Sequence, residues 1–99
     1  MKIEVLDDAR EDLIEGYHFY EEQSPGLGPY FLDSLFADID SLFLYAGIHR
    51  VVHGSHRCLG SRFPFAIYYR VEADVVRVRA VIDCRRSPAW IRRRLRRAP

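Results

Sequence analysis

The feature that most constrains the fold is a change in apolar period midway along the chain. From Phe63 to Val71 apolar side chains alternate with others, the period of a half-buried strand. Successive strand residues point to opposite faces, so Phe65, Ile67, Tyr69 and Val71 share one face and Ala66, Tyr68 and Arg70 the other. Glu72-Ala73-Asp74 allows a tight reversal into a second strand, where Val76, Val78, Ala80 and Ile82 are expected to point inward, opposite Arg77 and Arg79. Ser87 as N-cap and Pro88 at the first helical position then open a short C-terminal helix rich in arginine.

The first half repeats on a helical period instead. Ala9, Leu13, Tyr17 and Tyr20 fall on one stripe with Ile14 beside it, against Arg10, Glu11, Glu15, Glu21 and Glu22. Asp7 or Asp8 is expected to cap this helix, with Glu11 at the capping-box spacing from Asp8. Ser24-Pro25-Gly26 ends it. A second helix is expected from Gly28 to Ala46, where Phe31, Leu35, Ile39 and Leu42 form a row that Leu32, Phe36 and Phe43 widen, with Gly47 at its C-terminal end. Lys2 to Leu6 suits a short strand, and His49 to Leu59 one or two strand pieces interrupted at Gly54-Ser55. The order β-α-α-β-β-β-α implies an α+β fold, a helical hairpin covering one face of an antiparallel sheet.

Ninety-nine residues make one domain, 1–99, long enough for a core without staples. No apolar run is long enough to span a membrane, and the N-terminus lacks a signal-peptide pattern. With only Cys58 and Cys84 there is no disulfide framework, so a cytoplasmic location is expected. The formal charge of +1 conceals a division: residues 1–50 hold 3 basic and 11 acidic side chains, residues 51–99 hold 12 and 3. One face is therefore expected to meet an anionic partner, either nucleic acid or an acidic protein segment.

The chain resembles the RelE/ParE family of toxins from bacterial type II toxin–antitoxin pairs. The resemblance rests on Ala9, Asp12-Leu13, Tyr20-Glu21-Glu22-Gln23, Gly26-Leu27-Gly28 and Phe31 in the helical hairpin. It continues through Arg57, Arg62-Phe63-Pro64-Phe65-Ala66-Ile67-Tyr68-Tyr69, Ala80-Val81-Ile82, Arg85-Arg86-Ser87-Pro88 and Trp90, in order along essentially the whole chain. It implies the family's fold, a growth-inhibiting toxin of the kind associated with plasmid stabilization, and a cognate antitoxin bound over the sheet and helices. RelE-like members cleave messenger RNA in the ribosome, whereas ParE-like members are associated with DNA gyrase.

Metal-free RNA cleavage needs a base, cations at the strained phosphate and an acid for the leaving oxygen. RelE-like nucleases are expected to draw these from lysine, arginine and a late tyrosine. Here Lys2 is the only lysine, no tyrosine follows Tyr69 and no histidine follows His56. Asp83 and Ser87 stand where many relatives carry histidine and aspartate. Arginine stays protonated at neutral pH, so a nuclease built from Arg57, Arg62, Arg85 and His56 has only histidine to move protons. The ParE-like reading is therefore favoured: a poison that grips gyrase and performs no chemistry. Ribosome-dependent cleavage, or an inactive toxin retaining antitoxin binding, stands as the alternative.

On this reading Arg57, Arg62, Arg77, Arg79, Arg85, Arg86 and Trp90 contact the target. Tyr17, Tyr20, Phe31, Leu35, Tyr68 and Arg70 contact the antitoxin. The run Arg92-Arg93-Arg94-Leu95-Arg96-Arg97 could form a nucleic-acid tail. Its interleaving with Trp90, Ile91 and Leu95 instead favours an amphipathic helix docked on the sheet, its arginines solvated or paired with carboxylates. Sequence-specific DNA binding is not expected. His49, His53, His56, Cys58 and Cys84 lack the spacing of a tetrahedral site, so neither a metal nor another cofactor is expected.

Overall fold

The computed structural model describes residues 1–97. The elements are β1 (Lys2–Val5), α1 (Asp7–Gln23), α2 (Leu27–Asp40), α3 (Leu42–Tyr45), β2 (Val51–Val52), β3 (Ser55–Leu59), β4 (Phe65–Glu72), β5 (Val75–Asp83) and α4 (Pro88–Arg97). The five strands form one sheet in the order β1-β5-β4-β3-β2. The sheet is mixed: β2 to β5 are antiparallel, but β1 lies parallel to β5, with Ile3 opposite Val76 and Val5 opposite Val78. The α+β expectation holds, and the fully antiparallel sheet does not. The crossover from β1 to β5 passes through the helical hairpin, which allows a parallel pairing that tight turns forbid.

Helix α1 begins without a side-chain cap. Leu6 is its N-cap, and Asp7 and Asp8 lie in the first turn, where carboxylates complement the helix dipole. The capping box on Asp8 is therefore not formed. The hairpin turn is instead held by Glu21, whose carboxylate accepts the N–H groups of Gly26 at 3.0 Å and Gly28 at 2.9 Å, donors the start of α2 leaves open. Helices α1 and α2 approach closely at Gly16, where an added Cβ would lie 2.5 Å from the Phe31 ring. The expected helix 28–46 is interrupted at Ser41, whose hydroxyl donates to the Asp38 carbonyl at 2.6 Å and competes for helical backbone.

The largest departure from simple alternation is a register shift in the β4–β5 pair. Tyr68 faces Ala80, yet Tyr69 faces Val78, which leaves Arg79 as one extra residue on β5. A bulge of this kind swaps the faces that follow it. The expected row therefore splits: Val76, Val78 and Val81 join the core under the hairpin, while Ala80 and Ile82 face α4. The hairpin-side core contains Leu13, Phe31, Leu35, Ile39, Ile67 and Tyr69 among others. A smaller cluster of Ala66, Tyr68, Ala80, Ile82, Ile91 and Leu95 lies under α4. Helix α4 starts as expected, with the Trp90 N–H donating to Ser87 Oγ at 3.1 Å.

Candidate functional site

The bulge and α4 together shape the arginine-bearing face. Arg57 lies opposite Tyr68 on the α4 side, donating from Nε to the Tyr68 hydroxyl at 3.1 Å and from Nη2 to Cys84 Sγ at 3.6 Å. Arg77 pairs with Glu4 at 3.2 Å and Glu72 at 2.9 Å. Arg79 is buried under α4, donating to Ser55 Oγ and to the Leu95 carbonyl at 2.9 Å. Of the seven residues expected to contact a target, Arg79 is thus part of the structural seal, and Arg77 is partly neutralised by its own chain. Arg62 is exposed on the β3–β4 loop.

Arg85, Arg86 and Trp90 gather where β5 hands over to α4. Arg85 grips Asp83 with two bonds, Nε to Oδ1 at 2.9 Å and Nη2 to Oδ2 at 2.7 Å. The hydrogen bond from Arg85 holds the Asp83 carboxyl below the usual carboxylate range, so at neutral pH it is ionised and poorly suited to accept a proton. The Arg86 guanidinium lies 4.3 Å from the centre of the Trp90 ring, a cation–π contact. Both residues line a cleft of about 300 Å³ whose other wall is Asp12, Glu15 and Phe19 of α1.

Asp12 was not among the expected site residues, and it ties the region together. Its Oδ2 accepts the Val81 N–H at 2.9 Å and Arg94 Nη2 at 2.7 Å, linking α1, β5 and α4. Burial raises its pKa to about 6, against the pull of the Val81 N–H and Arg94. A lone Asp on an acidic helix gives no local sign of this role, because its partner Arg94 is 82 positions away.

Of the residues of the nuclease alternative, His56 and Arg57 are not brought together. His56 pairs with Tyr69 in register and stacks on its ring at 5.0 Å, on the hairpin side, whereas Arg57 faces α4. His56 Nδ1 bonds the His49 carbonyl at 2.7 Å. The sheet itself separates the His56 imidazole from the Arg57 guanidinium.

The residues expected to meet an antitoxin also divide. Phe31, Leu35 and Tyr68 are buried in the two cores and cannot touch a partner without opening the fold. Tyr17, Tyr20 and Arg70 are half-buried and reachable. Tyr20 packs in an aromatic cluster with Phe31, Phe63 and Phe65. Exposed apolar surface lies elsewhere, in Phe36, Phe43, Leu44, Tyr45, Ile48 and Val51 around the α2–α3 end of the molecule, where Leu44 is 81% exposed. The dense apolar run Leu42-Phe43-Leu44-Tyr45 carries that signal, since a helix apolar on several sides cannot bury all of them against one sheet.

A solved chain titled "Chromosomal ParDE TA system from P. aeruginosa" superposes with a TM-score of 0.76, covering 84% of this chain and 95% of that one at 18% identity. The fold is ParE-like. No family model and no curated protein matches the sequence. The ParE-like fold agrees with the observed strand, helical pair, mixed sheet and C-terminal helix. Among the described residues, no helix is long and apolar enough to cross a membrane.

Proposed function

We propose that this chain is the toxin of a type II toxin–antitoxin pair, a cytoplasmic growth inhibitor that binds DNA gyrase and is neutralised by a cognate antitoxin. The observation that carries the reading is the fold shared with a ParDE chain over nearly the whole of that chain. Binding rather than cleavage is supported by the local chemistry: Asp83 is pinned by Arg85, and His56 lies across the sheet from Arg57. The gyrase contact is assigned to the junction of β5 and α4, where Arg86, Trp90 and Phe19 border the cleft and Arg85 lies beside it. The antitoxin is assigned to the exposed apolar rim around Leu44, Ile48 and Val51, which suits the apolar face of an amphipathic segment.

The experiment is a supercoiling assay with purified chain. Gyrase is expected to be inhibited, less so by Arg85→Ala with Arg86→Ala, and to recover on adding the antitoxin. Full supercoiling at micromolar chain would remove gyrase as the target. New 5′ ends within codons after brief induction would turn the assignment to ribosome-dependent cleavage.

A further inference from the structure

Helix α4 turns Ile91, Arg94 and Leu95 toward the sheet and leaves Arg92, Arg93, Arg96 and Arg97 exposed. The pairs 92/96 and 93/97 are one helical turn apart, a spacing at which like charges repel and weaken a helix. Four arginines elsewhere meet carboxylates: Asp7 on Arg10, Glu4 and Glu72 on Arg77, Asp83 on Arg85, Asp12 on Arg94. Among the described residues no carboxylate is paired with any of these four. The helix dipole favours Arg96 and Arg97 in the last turn, but it does little for Arg92 and Arg93 nearer the middle. A cationic strip that costs its own helix and has no carboxylate partner among the described residues is suited to an external anion.

We propose that this strip grips the phosphate backbone of duplex DNA without reading its sequence. Four guanidinium forks in two rows match a regular array of phosphates, each able to take two hydrogen bonds. A protein partner fits the strip poorly, because tight protein interfaces need apolar or aromatic anchors at their centre. Among the described residues the large exposed hydrophobic side chains all lie at or before Val71 in the sequence, and none belongs to α4. Single-stranded nucleic acid is disfavoured for a related reason. Unpaired bases bind by stacking on aromatic rings, and Trp90, the aromatic residue of α4, is half-buried and covered by Arg86. B-form DNA has a major groove wide enough for an α-helix, whereas the A-form groove of duplex RNA is too narrow. This surface lies outside the proposed gyrase contact and can succeed or fail independently of it.

The test is a fluorescence anisotropy titration of a labelled random-sequence DNA duplex with the full chain between about 50 and 200 mM salt. The logarithm of affinity is expected to fall linearly with the logarithm of salt concentration. The quadruple variant Arg92→Gln, Arg93→Gln, Arg96→Gln, Arg97→Gln is expected to flatten that slope by about 3.6, since each phosphate left without its guanidinium removes about 0.9. Circular dichroism reports whether the variant keeps its helices. If it does not, Arg92→Gln with Arg96→Gln alone is expected to give about half the change in slope. An unchanged slope in a folded variant overturns the proposal. So does equal or tighter binding to duplex RNA or to a poly-glutamate peptide. DNA binding that depends on the strip in a chain that leaves gyrase unaffected would uphold this inference while removing the gyrase assignment.

Discussion

The two faces of the sheet are covered by different physics. The hairpin face is closed by area: Leu13, Phe31, Leu35, Ile39 and Leu42 press onto Ile67, Tyr69, Val76 and Val78, all nearly inaccessible to water. The α4 face has a smaller apolar cluster and is sealed with charge, by Arg94 on Asp12 and by Arg79 on Ser55 and the Leu95 carbonyl. The seal is incomplete, since Arg94 Nη1 is buried without a hydrogen-bond partner among the described residues. Apolar burial is insensitive to pH and weakly sensitive to salt, whereas a buried ion pair balances a large desolvation cost against a large attraction. Stability on the two sides should therefore respond to different variables. The sparsely covered helix α4 should exchange its amide protons sooner than α1 and α2.

The largest effects should come from removing one element of either closure. Phe31→Ala is expected to cost about 3–5 kcal/mol in urea denaturation at any pH where the protein folds. Asp12→Ala should cost a similar amount, about 3–5 kcal/mol at neutral pH, because it leaves the Arg94 charge buried and unpaired. If Asp12→Ala costs less than about 1 kcal/mol, the α4 face is not closed by charge and the contrast disappears.

The next effect separates the faces by pH. Asp12 has a folded pKa of about 6, above its ordinary 3.8, so its favourable contribution is full below about pH 4 and is lost as pH rises through 6. The difference in unfolding free energy between the native chain and Asp12→Asn should therefore change by roughly 2–3 kcal/mol between pH 4 and pH 7, favouring the native chain at the acid end. Phe31→Ala compared in the same way should give a flat line. A flat line for Asp12→Asn as well would show that burial does not dominate at that carboxyl.

A smaller effect tests the polar element on the hairpin side. The Tyr69 hydroxyl accepts the Gly47 N–H at 2.9 Å and also bonds His49 Nδ1, as donor or acceptor according to the imidazole tautomer. Burial, with His56 nearby, holds the His49 pKa below its usual value, consistent with a neutral ring. Tyr69→Phe leaves the Gly47 N–H unpaired and should cost about 1–3 kcal/mol in urea denaturation. A loss below that range would mean water replaces the hydroxyl. Smallest of all, Arg77→Gln removes two half-exposed ion pairs with Glu4 and Glu72 and should cost no more than about 1 kcal/mol. A larger loss would mean the outer rim of the charged face is structural too.

Much of the fold was legible from local pattern. The Ser24-Pro25-Gly26 break, the reversal at Ala73-Asp74, the helix start at Ser87-Pro88 and the positive φ of 96° at Gly47 follow from residue types whose backbone preferences act within a few positions. The candidate site was less legible. Phe31, Leu35 and Tyr68 have the aromatic or apolar character of contact residues, but that character equally suits a core, and only packing decides between the two. Arg79 lies in line with Arg77 on an alternating strand, and nothing local announces that α4 will cover it.

The sequence alone determined the periods of its segments, the order of the elements, the acidic and basic halves and the turn chemistry, because each is set by neighbours within one or two turns of chain. Tertiary structure decided the parallel seat of β1, the extra residue at Arg79 that exchanges the faces of β5, and the union of Asp12 with Arg94. These depend on which distant backbone edges pair and how much water their closure expels, and no short window of residues encodes either quantity.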